Sequence, residues 1–120
     1  GDEEEKHLRD MMEIVIKLFM TGDWDAFHEM ADPDVKFQVD VGDKHIHRHG
    51  REEVVEELIR LLEHWRVRNI RIHDIKLIGD KLVVEGRWET SYGDKSHDED
   101  VELIVIVVDG KIKKVRIIIR

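Results

Sequence analysis

Four carboxylates, Asp98, Glu99, Asp100 and Glu102, crowd into a short stretch just ahead of the apolar run from Leu103 to Val108. A carboxylate turned into an apolar pocket loses hydration, so its pKa rises. It can then act as a general base or hydrogen-bond a ligand hydroxyl. At a solvated strand end the same acids would simply be offset by Arg87, Lys114 and Arg116. Strand parity decides between the two. A two-residue turn at Asp109-Gly110 pairs Val108 with Lys111, and hence Ile104 with Val115 and Glu102 with Ile117. Glu102 and Asp100 then point inward with Ile117. A two-residue turn at Gly93-Asp94 requires the opposite parity. It pairs Trp88 with Glu99 and Gly86 with Val101, and turns Glu99 and His97 inward. One residue must be absorbed, by a bulge within 97–101 or by a three-residue turn over Gly93, Asp94 and Lys95. The wider turn sets Trp88 against Asp100 and Gly86 against Glu102, where a glycine leaves the carboxylate room. On that reading Glu102 is the leading pocket carboxylate, and Glu102 with Asp100 is the pair an acid/base enzyme would use.

The histidines are the second group. The run "HIHRH" places His45, His47 and His49 on one strand face, and two of them spaced i, i+2 lie roughly 7 Å apart. Such a pair can share a zinc ion, but no second cluster supplies a third ligand. A polar strand face is the expected role, with His47 or His49 near a pocket mouth, and no metal or other cofactor is assigned. His97 and Asp98 are sequence neighbours on a strand and point to opposite faces, so Ser91 or Ser96 with them makes no catalytic triad. There is no G-x-S-x-G elbow and no glycine-rich phosphate loop.

These residues need elements to hold them. Leu8, Met11, Met12, Val15, Leu18 and Phe19 recur at helical spacing behind an acidic first turn, and Gly22 ends that helix. Asp23 caps a second, short helix, "WDAFHEMA", whose Trp24 is a candidate lid, and "DPD" stops it. Val35, Phe37, Val39 and Val41 alternate along a first strand, and Gly42-Asp43 turns it into "KHIHRH". The segment "GREEVVEELIRLLEHW" is a third helix, with Leu58 and Trp65 on its apolar side. Four strands follow, 66–78, 81–92, 95–108 and 111–120, joined by tight turns. Ile70 and Ile72 share a face, as do Ile75 and Leu77, which requires a bulge near His73-Asp74. Trp88, Thr90 and Tyr92 alternate toward one face of their strand. Val83, Leu103, Val105, Val107 and Ile118 read as an apolar stripe on the opposite face. Such a stripe marks a partner surface, and a homodimer through the sheet is one assembly it allows.

The chain has 120 residues, 41% hydrophobic and 40% charged, with a formal charge of −8. One domain over 1–120 with a modest core is expected. The acidic balance argues against nucleic acid as a partner. No apolar run approaches the roughly 18 residues of a membrane helix, and no signal peptide or cysteine is present. A soluble, cytoplasmic-type protein is the expectation, and the initial Gly fits a recombinant chain trimmed of a tag. One proline, no cysteine and abundant Glu, Lys, Arg, Ile and Val put in each segment the residues its local structure prefers. Such agreement across levels is the mark of a designed sequence.

The order ααββαββββ gives an α+β class: three helices packed on one face of a curved, six-stranded, mainly antiparallel sheet. That order, with "TGDWDAFHEMADPDVKF", "GREEVVEELIRLL" and "VVDGKI" in their places, resembles the nuclear transport factor-like superfamily over nearly the whole chain. Ketosteroid isomerases belong to it. The resemblance implies a conical pocket between the helices and the concave sheet face. It also implies a test, because the isomerases' Tyr and two Asp positions fall near Val15, Val39 and Ile104. All three are apolar here, so that isomerase chemistry is disfavoured. What remains is a greasy cone, lined by Val15, Phe19, Phe37, Val39, Leu58, Trp65, Trp88, Thr90, Glu102, Ile104 and Ile117. It suits a mainly apolar small molecule of steroid-like size. The alternatives are a designed acid/base enzyme using Glu102 or Asp100, or a ligand-free designed scaffold.

Overall fold

A computed structural model describes residues 2–92 and 95–120, the side chains of Leu8, Phe19 and Tyr92 excepted. The turn at Gly93-Asp94 thus lies outside the described residues. Helix α1 (Asp2–Thr21) opens on four acids that complement its dipole. It closes at Gly22, whose φ of 72° lets its N–H and that of Asp23 reach the Leu18 carbonyl. Helix α2 (Trp24–Met30) is capped by Asp23, which accepts from the Ala26 N–H at 3.3 Å. Helix α3 (Arg51–Trp65) ends on Arg66 in the left-handed conformation. No described helix is long and apolar enough to cross a membrane.

The strands are β1 (Ala31–Val41), β2 (Lys44–His49), β3 (Val67–Ile78), β4 (Lys81–Tyr92), β5 (Lys95–Val108) and β6 (Lys111–Ile119). They form one sheet in the order β2-β1-β6-β5-β4-β3. Only β1 and β6 run parallel. The expected α+β architecture is therefore what forms. β1 begins earlier than the alternation from Val35 suggests. Ala31 already pairs with Ile112, and Pro33 falls in the register irregularity between Ala31 and Lys36, ahead of the β2 pairing that begins at Lys36.

Of the sheet's register irregularities, two bear on the site. The bulge near His73-Asp74 is present: Ile72 pairs with Gly86 and Asp74 with Glu85, leaving His73 unopposed. There the backbones close in so far that a Cβ on Gly86 would sit 2.5 Å from the Arg71 carbonyl oxygen. Only glycine fits. The second bulge resolves the parity conflict, in a place the turns did not indicate. β4 and β5 pair Tyr92 with Lys95, Trp88 with Glu99 and Gly86 with Val101. β5 and β6 pair Val108 with Lys111 and Val107 with Ile112, then Ile106 with Lys114. The extra residue is Lys113 of β6, not one within 97–101.

That single residue sets the faces of β5. Val101, Leu103 and Val105 turn inward beside Ile119, Ile117 and Val115, and all six are buried. They meet Met12, Val15 and Leu18 of α1 and Val54, Leu58 and Leu61 of α3 in one apolar core. Burying such side chains contributes about 1.5–3 kcal/mol each, so a register that left Leu103 and Val105 outside would forfeit several kcal/mol. The expected outer stripe is corrected accordingly. Leu103 and Val105 belong to the core, and the convex face instead carries Val83, Ile104, Ile106 and Ile118, all half-buried.

Candidate functional site

Of the four crowded acids, three lie on the convex face. Asp98 and Asp100 pair with Arg71 at 3.5 Å and Arg87 at 3.0 Å. Glu102, half-buried, pairs with Arg120 at 2.7 Å. Glu102 and Asp100 therefore do not enter the concave side; they border a separate open cleft of about 220 Å³ with His73, Glu85 and Arg120. Their parity was inferred from a hairpin that in fact carries an extra residue. Glu99 is the acid on the concave side, where its carboxylate accepts the Trp88 indole N–H at 3.4 Å.

Among the described residues, two spaces stand out on the concave side. A narrow cavity of about 30 Å³ lies between α1, α3 and the sheet, walled by apolar groups of Ile16, Leu58, Leu61, Trp88, Leu103 and Ile117 among others. That is about the volume one water occupies in the liquid, far less than a steroid needs. The second space is an open cleft of about 620 Å³ between α3 and the β1–β2 hairpin. Its floor is Val39, Val41, Ile46, Leu61 and Trp65, and its rim is Asp43, Lys44, Glu57, Arg60 and His64.

A thin wall divides them. Leu61 lines both spaces. Trp65, at the end of α3, lies with its ring centroid 6.0 Å from that of Trp88, which lines the narrow cavity. His64 meets Trp65 edge-on at 5.6 Å. Beside the wall sits Glu57, 5% exposed, its carboxylate 2.7 Å from Arg60 and 3.8 Å from Arg48. Two cations near one buried carboxylate keep it paired while one side faces the cleft.

The expected lining residues therefore divide. Leu58, Trp88 and Ile117 line the narrow cavity, while Val39 and Trp65 line the cleft. Val15 and Phe37 are fully packed in the core and line neither space. Thr90 is buried, and its hydroxyl donates to the His97 carbonyl at 3.1 Å. Ile104, like Glu102, is on the convex face. The Phe19 side chain lies outside the described residues, as does that of Tyr92. Trp24 borders a separate shallow cleft with Met20, Ile59 and Val67 rather than closing the cavity. His45, His47 and His49 are on the convex face, away from the mouth of the cone. Leu61 and Glu57 are additions. Glu57 had a signal, since it stands three residues after Val54 and four before Leu61, on the helix's apolar stripe.

The sequence pattern of the SnoaL-like domain family matches residues 9–115. No curated protein matches. Among solved structures, an NTF2-like protein from Anabaena variabilis superposes with a TM-score of 0.80 at 23% identity, covering 100% of this chain and 91% of that one. An NTF2-like protein of unknown function from Mesorhizobium loti gives 0.74 at 15% identity, covering 93% and 89%. A de novo designed protein with a curved β-sheet gives 0.68 at 24% identity, covering 96% and 86%. Likeness at these identities establishes the fold.

Proposed function

The chain belongs to the SnoaL-like domain family, and from that premise we propose that it is a designed member whose concave side receives a mainly apolar small molecule. The ligand enters by the cleft between α3 and the β1–β2 hairpin, stacks on Trp65, and reaches inward as Leu61 gives way. The observation that carries this reading is the shared wall: Leu61 borders both the wide cleft and the narrow apolar cavity. Apolar floors with a few polar groups at the rim are the usual make-up of small-molecule sites. The designed origin is supported by the consistency of residue choice with local structure and by the likeness to a designed curved-sheet protein.

The test is a titration with a flat apolar probe, such as a steroid or an anilinonaphthalene, followed by tryptophan fluorescence. A saturable change, lost in Leu61→Trp, supports the reading. The absence of a saturable change in the parent protein favours a ligand-free scaffold instead. A second copy of the chain is the further partner we propose, seated on the convex stripe of Val83, Ile104, Ile106 and Ile118. Gel filtration at dilute concentration tests it, with Ile104→Lys expected to give the monomer and an unchanged elution volume counting against the stripe.

A further inference from the structure

The convex face of β2, β1 and β6 carries a charge arrangement that the cleft does not use. Cross-strand pairing aligns three rows there: His45–Asp40–Ile118, His47–Gln38–Arg116 and His49–Lys36–Lys114. The first two rows hold their own counter-ion. The Asp40 carboxylate is 2.7 Å from His45 Nδ1, and it accepts from Arg116 Nε at 2.8 Å and from Gln38 Nε2 at 3.0 Å.

The third row has no such counter-ion. Lys36 and Lys114 stand directly opposite each other across the parallel β1–β6 pair. Neither ammonium has an acidic partner among the described residues. His49 reaches only the exposed Asp34, at 3.7 Å. Like charges directly opposite on neighbouring strands repel, so this row is destabilised unless something anionic settles on it. It borders an open groove of about 400 Å³ lined by Lys36, Gln38, His47, Arg48, His49 and Lys114, with Glu53 the one acid in its wall. Arg48 is turned toward Glu57 at 3.8 Å, so the local sign rests on the two unpaired ammonium groups against Glu53, in a chain of formal charge −8.

We propose that this groove binds a phosphate-type dianion, in the form of a small phosphate monoester, held between Lys36 and Lys114. A dianion pairs with both ammonium groups at once through charge-assisted hydrogen bonds, which a monovalent anion cannot match. A long polyanion is disfavoured, because the acidic remainder of the surface repels it.

The experiment is a titration of the full chain with phenyl phosphate and inorganic phosphate at low ionic strength, read by amide chemical shifts. Saturable shifts along β1, β2 and β6 are expected. Lys36→Gln and Lys114→Gln, changes of solvent-reaching side chains that leave the core intact, should each weaken binding at least tenfold. Lys17→Gln, exposed on α1 and outside the groove, should not. Lys36→Glu supplies an internal partner for Lys114 and should raise the melting temperature while abolishing stabilisation by phosphate. Equal affinity in the parent and the two glutamine variants, or shifts reproduced by chloride at matched ionic strength, would overturn the proposal. Binding of inorganic phosphate without phenyl phosphate would overturn the monoester class.

Discussion

Replacing Leu61 with alanine removes the side chain that the narrow cavity and the cleft share. Leu61 is 8% exposed, so nearly all of its side chain is lost from a packed site. Three carbon groups at about 0.8 kcal/mol each give a transfer term of about 2.4 kcal/mol. Measured Leu→Ala costs run about 2.7–5.0 kcal/mol, growing with the cavity left behind. Here the void opens onto a cleft, where water or a ligand can enter, so the low end applies, about 3 kcal/mol. For a domain of this size that is a fall in melting temperature on the order of 10 °C. The merged space should then take a flat aromatic hydrocarbon such as naphthalene. At a hundred times its Kd the ligand returns about 2.7 kcal/mol, nearly the whole loss. Thermal denaturation of parent and variant, each with and without naphthalene, reads both quantities. A loss below about 1 kcal/mol, or a loss that naphthalene does not recover, would refute the idea that Leu61 is the partition.

Three further outcomes are expected. Glu102→Leu should leave probe affinity unchanged and move stability by no more than about 1 kcal/mol, because its partner Arg120 is largely exposed and the pair lies on the convex face; a large affinity change would return Glu102 to the site. Gly86→Ala should cost about 3 kcal/mol, the upper end for overpacking, because the new Cβ meets the Arg71 carbonyl; urea denaturation reads it, and a neutral result would mean the bulge at His73 relaxes freely. Burial pushes the Asp40 carboxyl up, but hydrogen bonds from Gln38, His45 and Arg116 and the Arg116 charge outweigh it and hold the group well below the usual carboxylate range. Its contribution is thus present above the unfolded pKa of about 3.9 and is lost as pH falls from there toward the depressed folded value. Asp40→Asn should therefore destabilise at pH 7 by about 1–3 kcal/mol, and the gap from the parent should narrow below about pH 4; a gap independent of pH would contradict the assignment.

Much of the fold was legible locally. The 3–4 spacing along α1 and α3, the alternation of Val35, Phe37 and Val39, and the Asp23 cap each depend on neighbours in sequence, and each formed. The His73 bulge was legible because Ile72 and Ile75 cannot share a face without an extra residue. The same signal existed in β6, where Ile112 and Val115 both turn inward at a spacing of three. It was masked because the turns on either side of β5 already demanded a slip, and β5 itself was the nearer place to put it. The site suffered most from this, since moving the slip to Lys113 exchanged Glu102 and Ile104 for Leu103 and Val105 at the core.

The sequence by itself determined the elements, their order and the family, because periodicity, capping and turn chemistry act over a few residues. It also determined that Val39 would face inward, from the alternation along β1, and Val39 floors the cleft. Only the tertiary structure decided which face of β5 looks inward, because two hairpins competed and the burial of Leu103 and Val105 against α1 and α3 favoured one register. It alone decided how much room remained, because a cavity of about 30 Å³ is the residue of packing side chains from five or more elements, and no one segment carries it. And it alone set Lys36 against Lys114, since residues so far apart in the chain meet only where β1 and β6 run parallel.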